Sequence, residues 1–181
     1  MSGHVILSHG SDSGPEATKV SALARVAEAS GWSTFRPDFR AEDTRGYAGS
    51  VAPRVARLVE AMRDAPRPLV LAGSSMGAFV SGLASLRMPC DGLFLIALPI
   101  DIPGCPQRFD ATRGLPGMLV HGYRDELCPV DAAAAFARGH GMPALLLDDD
   151  HRLANHVHLL ERQFAMFLET FADAAARRPV A

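Results

Sequence analysis

Gly73-Ser74-Ser75-Met76-Gly77 sets a serine midway between two glycines, directly after the apolar run Leu69-Val70-Leu71-Ala72. A strand that turns sharply into a helix forces its apex residue into a strained backbone conformation. Side chains two positions before and after that apex would collide with neighbouring backbone, and glycine at both places removes the collision. The spacing therefore predicts a bend that lifts the Ser75 hydroxyl clear of the chain at the start of a helix. There, unpaired N–H groups and the helix dipole favour developing negative charge. The motif alone is a weak signal, since a glycine-rich turn can carry an incidental serine. Its position after a strand is what strengthens it.

A hydroxyl becomes a nucleophile when a base takes its proton and an acid orients that base. Two other stretches offer such groups. His121-Gly122-Tyr123-Arg124-Asp125 follows the apolar Met118-Leu119-Val120, and His151 follows Ala144–Leu147 and Asp148-Asp149-Asp150. Both sit on loops at the carboxyl ends of strands, where Ser75 also lies. Glu126, Asp131 and Asp110 are alternative acids, although Asp131 reads as a helix cap or first-turn charge. His156 and His158 are alternative bases, but His156 falls inside the final helical stretch. The same histidines with Asp148–Asp150 could instead ligate a metal, yet their spacing matches no zinc signature. His9 reads as a structural loop residue. Cys105 and Cys128 have no paired histidine in sequence and read as packed thiols.

The elements that must position these groups alternate. Strands are expected at Val5–Leu7, Thr34–Arg36, Leu69–Ala72, Leu93–Leu98, Met118–Val120 and Ala144–Leu147. The first helix begins near Pro15, with Ser13 and Glu16 as a capping box, and is closed by Gly31. A loop with Gly46 and Gly49 leads to a second helix whose buried face is Val55, Leu58, Val59 and Met62. Further helices run from the elbow to about Arg87, over Ala132–Arg138, and from about Asn155 to Ala176. Strands alternating with helices predict a parallel sheet covered on both faces. If the second strand lies outside the first, the first and third become neighbours and strand order reverses between them. A ligand crevice is expected at that point, flanked by the Ser8–Gly14 loop and Ser75. The stretch Pro99–Gly117, with four prolines, reads as a long surface loop.

Composition excludes several classes of function. The 181 residues carry 18 Lys+Arg against 20 Asp+Glu, a formal charge of −2, and 48% are hydrophobic. That is too apolar for a disordered chain, without the basic excess of a nucleic-acid binder, and without an apolar run able to span a bilayer. The N-terminus reads as no secretory signal. Cys90, Cys105 and Cys128 are odd in number without CxxC spacing, which fits a reducing cytoplasm. Lys19 is the one lysine.

Leu7-Ser8-His9-Gly10, Gly73–Gly77, His121–Asp125 with Pro129 just beyond, and Asp150-His151 occur in this order, each after a strand. Together they resemble the small, lidless serine hydrolases of the α/β-hydrolase superfamily, over nearly the whole chain. The resemblance implies an α/β, three-layer αβα sandwich in a minimal α/β-hydrolase fold: one domain over residues 1–181, about six mostly parallel strands and no cap domain. Against the family's pattern, the His-Gly strand is expected to be the first of this sheet, without the usual two before it. It implies Ser75 as nucleophile, His151 as base, Asp125 as acid, and an oxyanion hole from the backbone N–H groups of Met76 and Ser11. The implied activity is cleavage of a carboxylic ester or thioester of a small or short-chain acyl substrate through an acyl-enzyme, in the manner of a carboxylesterase or thioesterase. No cofactor and no metal is called for. The partner is the small-molecule substrate, rather than nucleic acid or membrane. A non-catalytic binding module on the same fold, or an amide- or C–C-cleaving serine hydrolase, are the alternatives. The apolar residues Ile100, Ile102, Phe109 and Leu115 could furnish a modest acyl wall.

Overall fold

The computed structural model describes residues 3–176. Six strands, β1 (His4–Ser8), β2 (Ser33–Phe35), β3 (Leu69–Ser74), β4 (Gly92–Ile96), β5 (Gly117–Gly122) and β6 (Ala144–Leu147), form one sheet in the order β2-β1-β3-β4-β5-β6. Every neighbouring pair is parallel, with His4 opposite Leu69 and Ser8 opposite Gly73 along the β1–β3 seam. The helices are α1 (Thr18–Ala29), α2 (Arg40–Asp43), α3 (Gly46–Met62), α4 (Met76–Ser85), α5 (Val130–Gly139) and α6 (Val157–Ala176).

The central strands are continuous apolar runs because both of their faces are covered. Alternate residues divide between two cores. Ile6, Leu69, Leu71, Leu93, Leu95 and Leu119 pack with α3, α4 and α5. Val5, Leu7, Val70, Phe94, Ile96 and Val120 face α1 and α6. The result is a three-layer αβα sandwich. The chain leaves β1 for β2 on one side and returns to β3 on the other, so strand order reverses at the β1–β3 seam, where a ligand crevice is expected.

Two expectations need correction. The first helix starts at Thr18, and its N-cap residue Ala17 makes no side-chain cap bond, so Ser13 and Glu16 form no capping box. The loop before it is tied to α3 at His9, Gly10 and Asp12. Of the four apolar residues offered as an acyl wall, Ile100 and Leu115 are half-buried against the core and the other two are not available. Ile102 and Phe109 are buried in the core beside α4 and α5. The Phe109 ring lies 5.7 Å from Phe79 and 4.6 Å from Phe136, against Gly82, where a Cβ would meet it at 2.2 Å. Among the described residues no helix is long and apolar enough to cross a membrane.

Candidate active site

Ser75 caps α4 with φ 56° and ψ −122°, the strained apex anticipated from its glycine neighbours. Those glycines are needed for close backbone approach. A Cβ on Gly73 would lie 2.3 Å from the Gly77 carbonyl oxygen, and one on Gly77 would lie 2.0 Å from the Ser8 carbonyl oxygen. The first turn of α4 therefore rests on the backbone at the end of β1. The Ser75 N–H donates to the Ile96 carbonyl at 2.9 Å, tying the bend to β4. Met76 is the first residue of α4, so its N–H has no intrahelical acceptor.

His151 reaches this hydroxyl from the loop after β6. Its Nδ1–H donates to Asp125 Oδ2 at 2.8 Å, which leaves Nε2 to accept from Ser75 Oγ–H at 3.0 Å. Asp125 is buried, and both of its oxygens are engaged. Oδ1 accepts the N–H groups of Leu127 (3.0 Å) and Cys128 (2.8 Å). Oδ2 also faces Nε2 of His121 at 3.2 Å, and the same Nε2–H donates to the Cys128 carbonyl at 2.8 Å. His121 Nδ1 is buried without a partner. Burial alone would raise the Asp125 pKa, but hydrogen bonds from His121, His151 and the Cys128 N–H outweigh it and hold the carboxyl well below its usual range. It is therefore a fixed anion beneath the imidazole.

His121 is a group that sequence reasoning passed over as part of a motif. Because the folded-state pKa of Asp125 is depressed, the carboxylate stabilises the fold fully above its unfolded pKa (~3.9). That stability is lost as pH falls through the lower folded value. His121→Phe removes one donor, so it should destabilise the protein by about 1.5–3 kcal/mol at neutral pH. It should also move the acid loss of stability to higher pH. Urea denaturation of both proteins from pH 3 to 7 checks this; parallel curves would contradict it.

The loop after β1 forms the other wall. A Cβ on Gly10 would stand 3.4 Å from the Ser75 Cβ, which places Ser8–Gly14 directly beside the elbow. His9 is fully buried. Its Nδ1–H donates to the Gly10 carbonyl at 2.7 Å, and its Nε2 accepts the Phe39 N–H at 3.0 Å. Burial lowers its pKa, and Arg54 adds to that against a raising bond to Gly10, so the ring is a neutral strut. Arg54 of α3, also fully buried, donates to the carbonyls of His9 (2.9 Å) and Gly10 (3.2 Å) and forks onto Asp43 at 2.6 and 2.5 Å. Tyr47 Oη donates to Asp12 Oδ2 at 2.7 Å. Sequence reasoning missed Arg54 because an arginine reads as polar. Its signal was position: it lies on the helical stripe of Val51, Val55, Leu58 and Met62.

Ser75, His151 and Asp125 are thus joined in one hydrogen-bonded chain, with Met76 next to Ser75 at the start of α4 and Ser11 on the β1 loop that passes beside the elbow. The alternatives lie outside that chain. Glu126, Asp131 and His158 are exposed, and Asp110 pairs with His140 at 3.3 Å. His156 lies in a 3-10 turn (Ala154–His156) and donates from Nδ1 to Asp149 Oδ2 at 2.8 Å. The Asp148–Asp150 and His151–His158 stretch does not gather into a ligand set. Among the described residues, the donor group that converges is Asp125, Cys128 and His151, with ligating atoms within 4.8 Å of one another. Cys128 therefore lies closer to the site than its sequence context suggested. Burial and the Asp125 carboxylate push its thiol up to about 12, so it stays protonated. All three cysteines are free. A depression of about 240 Å³, lined by Ser11, Asp12, Asp43, Gly46, Tyr47 and Ser50, opens beside the β1 loop.

The family model described as alpha/beta hydrolase domain matches residues 1–177. The chain belongs to the α/β-hydrolase family. A protein of the alpha/beta superfamily from Xanthomonas campestris pv. campestris is 43% identical to this α/β-hydrolase. That match covers 93% of this chain and 99% of the other, with a TM-score of 0.88. Two more distant structures share the fold. An alpha-beta serine hydrolase homologue from Coxiella burnetii is 22% identical, covering 93% and 86% of the two chains at TM-score 0.70. Est1E from Butyrivibrio proteoclasticus is 19% identical, covering 95% and 89% at TM-score 0.73. No curated protein matches the sequence.

Proposed function

We propose that this α/β-hydrolase is a serine esterase or thioesterase acting on small or short-chain acyl substrates. The observation that carries the reading is the unbroken hydrogen-bonded chain from Ser75 through His151 to the buried Asp125. His151 Nε2 takes the Ser75 proton as Oγ bonds to the acyl carbon, and the carbonyl oxygen becomes an oxyanion. The N–H groups of Met76 and Ser11 stabilise that oxyanion, and Asp125 stabilises the imidazolium. The imidazolium then protonates the leaving alkoxide or thiolate as the C–O or C–S bond breaks. A water, deprotonated by the same nitrogen, attacks the acyl-enzyme. The acid product leaves, and Ser75 recovers its proton.

Small substrates are favoured by the surroundings. The depression beside Ser11 is small, about 240 Å³, and the buried apolar residues of the 99–117 loop are committed to the core. Long alkyl chains would find little apolar surface to cover them.

A fluorophosphonate probe tests the reading directly. It should modify Ser75 in the folded protein and leave Ser75→Ala untouched, as read by intact mass and peptide mapping. An acyl series on a common leaving group should then show kcat/KM falling from two- to four-carbon chains toward long ones. Absence of labelling in folded wild type would favour a binding module that has kept the fold without turnover.

A further inference from the structure

We propose that Lys19 is a positioning residue for the imidazole of His151: its amine, reaching across from α1, clips the backbone of the base-bearing loop and holds Nε2 on the Ser75 hydroxyl. The proposal rests on the serine-hydrolase reading above and adds to it a control on the base. Lys19 Nζ donates to the carbonyls of His151 (3.1 Å) and Arg152 (3.0 Å), more than a hundred residues away in the chain.

The loop's internal fixings engage its N–H groups and leave the carbonyls of His151 and Arg152 to Lys19. The Asp149 carboxylate, 1% exposed, accepts from the N–H of Asp150 (2.9 Å), from the N–H and Nδ2 of Asn155 (3.1 and 3.2 Å) and from His156 (2.8 Å). Those bonds close the loop from inside on either side of His151. The Arg152 N–H donates to Asp150 Oδ1 at 2.8 Å, and the carbonyls of His151 and Arg152 are gripped by Lys19. The next residue, Leu153, is held at φ 53° with its side chain buried, a strained conformation for leucine that persists only where the surroundings fix it. A displacement of about 1 Å at a reacting group can lower a rate by about 10²-fold. A bond to the base's own carbonyl therefore bears directly on rate.

The clip also has a working range of pH. The groups facing the Lys19 amine are the carboxylates of Asp125, Asp149 and Asp150, the Arg152 guanidinium, and the protonated thiol of Cys128. Burial lowers the pKa to about 8, against the raising effect of the three carboxylates. The folded protein thus gives up this proton well before the unfolded chain would. Below about 8 the clip is an ammonium making two charge-assisted bonds. Above it the bonds are neutral and about half as strong. An arginine at this place would stay charged throughout.

The test measures the second-order rate of Ser75 phosphonylation by a fluorophosphonate from pH 6 to 10, in the full chain. Wild type should lose rate above about pH 8. Lys19→Met should be slower by about 10–100-fold at every pH, with no fall near 8. Lys19→Arg should restore the rate and carry it to higher pH. Because Lys19 is the one lysine, protein grown on lysine labelled with carbon-13 at Cε gives a single side-chain signal, whose midpoint should coincide with that of the rate. This readout needs no variant and stands if Lys19→Met fails to fold. A Lys19→Met protein that labels at the wild-type rate with an unchanged profile would overturn the proposal. So would a lysine signal that titrates at its ordinary value near 10.4. If wild type does not label at any pH, the nucleophile assignment fails first and the clip has no reaction to serve. That outcome is distinct from wild type labelling while Lys19→Met is unaffected.

Discussion

Replacing Ser75 by alanine should lower kcat on a short-chain ester by about 10⁴-fold or more, and His151→Ala should do the same. The reason lies in the geometry. Ser75 Oγ is the atom at the strained apex, 3.0 Å from His151 Nε2, and without that oxygen the acyl carbon has no covalent path. Without the imidazole, the oxygen keeps its proton. Each group acts only through the other, so the double variant should be no slower than either single one. Residual turnover above the uncatalysed reaction should remain in all three, supplied by the proposed oxyanion donors of Met76 and Ser11 and by binding. Alanine tolerates the Ser75 site as well as serine does in backbone terms, so the melting temperature should barely move. Steady-state rates and a thermal melt on the three variants check this. Turnover within tenfold of wild type in Ser75→Ala would remove the nucleophile from the mechanism.

Much of this site was legible in the sequence because its requirements are steric and local. Two glycines around Ser75 announce a bend whose backbone approaches side chains would block, and the structure finds those approaches at Gly77 and Ser8. Asp125 and His151 were legible as polar residues just past apolar runs, since a strand's end sets where the following loop emerges. The reversal between β1 and β3 followed from one topological condition, that β2 lies outside β1. The errors share a different cause, which is tertiary contact. The Ser13–Glu16 pattern is good helix-start chemistry. Yet Arg54 and Tyr47 tie His9, Gly10 and Asp12 to α3, and α1 begins later. The apolar residues of the 99–117 stretch looked available to a substrate, and Phe109 is packed between Phe79 and Phe136 instead, tilted to one ring and edge-on to the other. Lys19 looked like a matter of composition, and only a fold that lays α1 against the β6–α6 loop gives it a task.

Arg54→Met should be the most damaging substitution away from the triad, lowering stability by about 3–5 kcal/mol. Within a typical margin of roughly 5–15 kcal/mol this is a large fraction, equivalent to a fall of roughly 6–20 °C in Tm at about 2–4 °C per kcal/mol. Methionine fills similar volume and keeps the contact with Phe39, over whose ring the guanidinium lies at 4.7 Å. What it removes is the fork onto Asp43 and the donors to the His9 and Gly10 carbonyls. Those carbonyls immediately precede Ser11, so the loss should extend to rate. With the Ser11 N–H as the oxyanion donor we propose, its misplacement amounts to a missing donor, worth about 10²–10³ in kcat. KM should change little, because the donor acts mainly once charge has developed. Asp43→Asn keeps one acceptor for the fork and should cost less. The double variant should be less unstable than the sum of the two, since removing both partners avoids leaving one of them unpaired. Urea denaturation of the three variants, with kcat and KM for whichever remain folded, separates the two effects. An Arg54→Met protein within about 1 kcal/mol of wild type, turning over at full rate, would show that the β1 loop keeps its place without the guanidinium.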